Sequence, residues 1–198
     1  MAELGKLEYY LLAINVIGAL VYLINMLLYR HTARGQIDVV VTIVSLLGGS
    51  AGMLLMILLF DRKAEKENMM SRVFIICIFV IQVIVLLIFK GHHAEHFTFA
   101  FWKFFAEHRI LLIYLGVINL VTFIVFAIDK ANARANRSRI RIVTLLGLSF
   151  AGGSVGGLIS MYLFRHKTQK DYFTVGMPLI IVTQIVVLFY VMNAGWYS

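Results

Sequence analysis

The residues from Ile142 to Phe164 read IVTLLGLSFAGGSVGGLISMYLF, and how this stretch is read decides the fold. It holds 23 residues and no charge. A bilayer core of about 30 Å takes about 20 helical residues, so the stretch has the length and polarity of a membrane-spanning helix. At its centre stand Gly152, Gly153, Ser154, Gly156 and Gly157, which permit close backbone approach or local unwinding. A second stretch, Val39 to Phe60, reads VVVTIVSLLGGSAGMLLMILLF and has the same build around Gly48, Gly49, Ser50 and Gly52.

Outward from these two, four further runs carry no charge: Tyr9–Tyr29, Val73–Phe89, Ile110–Ile128 and Tyr172–Ser198. Hydrophobic residues make up 61% of the 198-residue chain and charged residues 14%. The mean hydropathy is +0.89. A soluble domain carries about 25% charged residues, so lipid is the expected solvent for much of this chain. Helices satisfy their own backbone hydrogen bonds in lipid. The fold expected is therefore an all-α integral membrane protein of six transmembrane helices. The mixed charges of Glu3, Lys6 and Glu8 do not resemble a signal peptide, so the first run reads as a retained helix.

The two Gly-rich stretches belong to a longer recurrence at an offset of 104 residues. Tyr10, Ile14 and Asn15 recur as Tyr114, Ile118 and Asn119, and Gly48-Gly49-Ser50 as Gly152-Gly153-Ser154. With a two-residue gap, Gln82 aligns with Gln184. The chain reads as two tandem three-helix repeats, 1–89 and 110–198, joined by a linker over 90–109. An odd number of crossings per repeat predicts inverted topology. The linker, with Phe97, Phe101, Trp102, Phe104 and Phe105, reads as a short amphipathic interfacial helix. With all six segments crossing, ten Lys and Arg residues fall on the N-terminal side of the membrane and eight on the other. That small excess favours the N-terminus inside.

Ala127-Ile128-Asp129-Lys130, the basic run to Arg141, Gly152-Gly153-Ser154-x-Gly156 and Arg165-His166-Lys167-Thr168 follow one another in that order. This pattern resembles the bacterial membrane family called domain of unknown function 1294 over roughly residues 110–190. The first half resembles it as a degenerate copy. Asn25-Met26 stands there for Asp-Lys, and Asp61-Arg62-Lys63 for Arg-His-Lys. The resemblance implies a membrane protein of the bacterial cytoplasmic membrane and brings no activity with it.

Several groups are candidates for chemistry. Asn119, Gln82, Gln184, Ser50 and Ser154, with Gly49 and Gly153, lie near segment centres and form a candidate midplane substrate site. The competing reading is close helix packing with hydrogen bonds across it. Asp129 is a candidate proton site or ion-pair partner. Arg134, Arg165, His166 and Lys167 suit contact with an anion or a lipid headgroup. If the fifth segment spans, Asp129 and His166 lie on opposite faces, about 30 Å apart. They meet only if that segment is a re-entrant hairpin turning at Gly152–Gly157. His92, His93 and His96, with Glu95 and His108, are weighed as metal ligands, and the loop reading is preferred over a metal site. Cys77 reads as a packed thiol. No cofactor is expected.

The net charge of +8 is assigned to lipid headgroups rather than nucleic acid, because the basic residues flank apolar segments. The partners expected are the lipid bilayer and its anionic headgroups, with a homo-oligomer if one chain is not a complete unit. The leading functional expectation is a small transporter or channel. The alternatives are a non-catalytic membrane module binding anionic lipid or partner proteins, and a lipid-modifying enzyme.

Overall fold

The computed structural model describes residues 5–31, 38–92 and 97–194. Every regular element among them is helical. Six stretches are long and apolar enough to cross a membrane, as expected from their charge-free composition. The chain divides into two compact units, Met1–Val83 and Ile84–Ser198.

In the first unit, α1 (Lys6–His31) is followed by α2 (Asp38–Val44), a loosened helical turn over Ser45–Gly49, and α3 (Ser50–Phe60). Helix α4 (Met69–Phe89) begins in this unit. In the second unit, α5 (Phe101–Glu107) leads into α6 (Arg109–Arg134). Then come α7 (Ile142–Leu148), a second loosened turn over Ser149–Gly153, α8 (Ser154–Leu163), α9 (Asp171–Thr174) and α10 (Gly176–Asn193). The interfacial helix expected in the linker is α5, seven residues long, with Phe104 buried and Trp102 exposed. Asn193 at the end of α10 ties down the segment before α5 through both backbone groups of Thr98.

The fifth segment does not run straight. The backbone N–H of Ile140, ahead of α7, donates to Asp129 Oδ1 at 2.8 Å. His166 Nε2, beyond α8, lies 2.8 Å from Asp129 Oδ2. A straight helix over Ile142–Phe164 would hold its own ends about 33 Å apart. One carboxylate touches both, so the segment folds back on itself. The fold is at Gly152, whose φ of +116° is open to glycine and strained for other residues. Helix α8 runs parallel to α6: Gly156 meets Asn119, Ser160 meets Phe123, and His166 meets Asp129. Helix α7 therefore runs against both.

The second segment is built in the same way. Gly48 also has φ +116°. Ser71 Oγ bonds Asp38 at the start of α2 (3.2 Å), and the next residue, Arg72, bonds the carbonyl of Asp61 at the end of α3. Two adjacent residues thus hold both ends of the segment. Val39–Phe60 and Ile142–Phe164 are each folded at a glycine into a helical hairpin, the alternative to a straight helix that the sequence left open. The parity argument for inverted repeats loses its premise with them.

Helix contact at the hairpins is close because glycine permits it. A Cβ on Gly156 would fall on the carbonyl of Asn119, and one on Gly52 on the carbonyl of Asn15. Around the first hairpin the core gathers Tyr22, Met26, Val41, Met53, Ile57 and Ile75. Cys77 is buried, as a packed thiol should be.

Candidate functional site

Each hairpin has a polar turn and a polar base. At the turn of the second hairpin, the break in the helix frees backbone groups that need partners in lipid. Gln184 Nε2 donates to the carbonyls of Ser149 (2.7 Å) and Phe150 (3.3 Å), and its Oε1 accepts from the Ser154 hydroxyl. Asn119 Nδ2 donates to the carbonyls of Leu115 and Gly152, while its Oδ1 accepts from the Gly156 N–H at 2.7 Å. Tyr114 donates to the carbonyl of Ala151 at 2.6 Å.

The same bonds recur in the first unit. Gln82 reaches the carbonyls of Ser45 and Leu46 and accepts from Ser50. Asn15 accepts from Gly52, and Tyr10 donates to Leu47. Gly153 packs on Thr122, and Gly49 on the backbone of Ile14. The structure thus brings the expected midplane residues together at each turn, unit by unit. There the amide side chains use their donors and acceptors on the broken backbone.

The bases of the hairpins carry the charges. In the second unit Asp129 is fully buried. Besides Ile140 and His166, it pairs with Lys167, whose Nζ lies 2.7 Å from Oδ2. The chain can deliver both side chains because Arg165 and Lys167 adopt positive φ, +43° and +62°, in the loop after α8. Lys167 also lies over the Phe173 ring, 5.0 Å from its centre. Burial pushes the Lys167 ammonium below the ordinary lysine range, and Asp129 restores part of the shift. Arg134 and Arg165 are exposed at the same end. Of the residues expected to meet an anion, His166 and Lys167 are joined to Asp129 and Arg165 flanks them.

In the first unit the charges are exchanged. Asn25 occupies the place of Asp129, and the carboxylate comes instead from Asp61, in the loop after the hairpin. Asp61 is 1% exposed. It accepts from Tyr22 at 2.7 Å and from Asn68, and it pairs with Arg72 at 3.2 Å and Arg30 at 3.5 Å. Tyr22, Asn68 and Arg72 escaped the sequence reading. The signal for them was the reversal itself, an acid where the matching position holds Arg165.

Among the described residues no group of three His, Cys, Asp or Glu side chains is placed to hold a metal. His93, Glu95 and His96 lie outside the described residues.

The family described as protein of unknown function (DUF1294) matches residues 119–173, a span containing the second hairpin, Asp129, His166 and Lys167. The uncharacterized protein YsdA of Bacillus subtilis (strain 168) is 35% identical over 79 residues. Those residues cover 40% of this chain and 89% of that protein. No solved structure matches the chain.

Proposed function

The chain belongs to the family described as protein of unknown function (DUF1294), and on that premise we propose a function from geometry: a transport protein of the bacterial cytoplasmic membrane that admits a small anion from one basic face along re-entrant hairpins. The observation that carries this reading is the shared Asp129 carboxylate, which brings the two ends of the fifth segment together. The turn at Gly152 lies beside Ile118, eleven residues along α6 from Asp129. That is about 16 Å, near the middle of a bilayer core. Broken helices at that depth are tolerated where protein or water shields them, and transporters build sites from them.

The recurring hydrogen bonds support a duplicated origin. So does the YsdA relative, which is less than half as long as this chain and matches one copy. On this reading each copy crosses twice and returns, so the copies insert in the same sense. Both hairpin bases then face one side. Only Lys6, Lys90, Lys103 and Arg109 fall on the other, leaving fourteen of the 18 Lys and Arg residues with the hairpin bases. The positive-inside rule then puts the bases in the cytoplasm and the N-terminus outside. This replaces the orientation drawn from six straight crossings.

The test uses the full chain in phosphatidylcholine vesicles loaded with chloride, inorganic phosphate or glutamate. Protein-dependent release of at least one anion is expected. Gly152→Val should reduce that release at least tenfold, whereas Gly147→Ala should leave it unchanged. No release of any of the three defeats the transport reading.

A second reading, a non-transporting module that binds anionic headgroups, is favoured by one observation. Gln184 and Asn119 have their amide hydrogen-bonding groups engaged inside their own unit. A lipid-modifying enzyme regains geometric support from the Asp129–His166 contact, but no hydroxyl or thiol bonds His166 among the described residues.

A further inference from the structure

A cavity of about 450 Å³ opens at the base of the first hairpin, between the end of α1 and the loop after α3. Its lining includes Arg30, Arg62 and Lys63 as cations and Asp61 and Glu65 as acids. We propose that it binds a phosphate-type oxyanion, whether the headgroup of an anionic phospholipid or a free phosphate ester. The site lies wholly within the first unit and does not depend on the transport reading.

The charge balance supports an anion. Asp61 has no capacity left for a cation. Its carboxylate already takes the Tyr22 hydroxyl, the Asn68 amide and the guanidinium groups of Arg72 and Arg30. Arg72 is itself largely buried, so it neutralises Asp61 from below and adds to the positive surroundings. Arg30 commits one terminal nitrogen, to the carbonyl of Phe60 at 3.0 Å and to Asp61. Arg62 commits its Nε to the carbonyl of Leu58 at 3.1 Å. The Lys63 ammonium makes no hydrogen bond or ion pair with the described residues. Three cationic side chains therefore face Glu65 as the one carboxylate not already neutralised. Guanidinium and ammonium groups at the edge of apolar segments are suited to phosphate oxygens. Leu59 and Phe60 line the same cavity and are 52% and 55% exposed, which gives an acyl chain an apolar surface next to the cations. The volume is larger than a phosphate group alone and leaves room for a glycerol or ester portion.

The test uses the full chain in a non-ionic detergent and follows its thermal unfolding midpoint against ligand concentration. The probes are dihexanoyl phosphatidylglycerol, dihexanoyl phosphatidylcholine, glycerol 1-phosphate and inorganic phosphate. Anything that binds the folded state raises the midpoint. Phosphatidylglycerol is expected to act at concentrations at least tenfold lower than phosphatidylcholine. The double variant Arg62→Gln, Lys63→Gln should lose that preference. Both side chains are exposed, so the variant should fold. Arg137→Gln with Arg139→Gln, in the other unit, should keep it. Competition by glycerol 1-phosphate or inorganic phosphate supports the site and identifies a free phosphate as sufficient. Lack of competition, with the preference intact, also supports it and identifies the lipid as the source. Equal response to the two lipids, or a preference that survives in the Arg62→Gln, Lys63→Gln variant, overturns the proposal.

Discussion

Asp129 holds two separate parts of the second unit through three groups: the backbone N–H of Ile140 ahead of α7, and the His166 and Lys167 side chains in the loop after α8. A buried carboxylate is costly unless it is paired and hydrogen-bonded, and breaking such a pair leaves an uncompensated charge. Asp129→Asn is expected to cost about 3 kcal/mol or more, read as a lowered midpoint in detergent unfolding. Lys167→Gln should cost less, since His166 and Ile140 remain on the carboxylate. Lys167 also sets a pH dependence. Its folded-state pKa lies below the ordinary 10.5, chiefly through burial. The unfolded chain therefore binds more protons between those two values, and stability rises as pH climbs through that window. Unfolding midpoints measured from neutral pH toward 10.5 should show the rise in the wild-type chain and lack it in Lys167→Gln.

At the scale of elements, the hairpins depend on glycine at two kinds of position. Gly152 takes a left-handed backbone conformation, and Gly156 brings α8 against α6. Gly147 does neither, since a Cβ there meets nothing within 4 Å. Gly156→Ala should therefore destabilise by about 1–3 kcal/mol through overpacking against Asn119. Gly147→Ala should stabilise by about 0.5–1 kcal/mol, because alanine loses less backbone freedom in a helix. Comparing their unfolding midpoints checks both expectations. Equal effects would mean that α6 and α8 do not approach as described. The side chains that close the turns come from other helices, Gln184 from α10 and Asn119 from α6. Gln184→Leu should therefore loosen the hairpin although it removes no apolar packing.

For the whole molecule, the proposed re-entrant reading and six straight crossings differ in which loops would share a face of the membrane. Cys77 would be replaced by Ala, and single cysteines placed at Arg137, Gln169 and Lys103. Six straight crossings put Arg137 and Gln169 on opposite faces. Two-crossing copies put them on the same face, with Lys103 on the other. In intact cells an impermeant thiol reagent is expected to label only the Lys103 position. Labelling that separates positions 137 and 169 would sink the re-entrant reading. Labelling of 137 and 169 but not 103 would keep the hairpins and reverse the orientation.

Much of this protein was set by its sequence. Charge-free runs determine membrane residence and helical structure, because apolar side chains and unpaired backbone leave few other solutions in lipid. The recurrence of Asn, Gly-Gly-Ser and Gln marked the residues that meet at the turns, and the pattern around Asp129 and Arg165-His166-Lys167 marked the family. Whether a Gly-rich apolar run is straight or folds back on itself was left to the tertiary structure. Length and hydropathy are the same for a straight helix and a folded one. The choice between them rests on partners distant in sequence. Asp129 accepts from residues 11 and 37 positions away, and Gln184 bonds the turn from 34 and 35 positions away. Those partners are found only once the helices have packed, and with them the gathering of charge at each hairpin base.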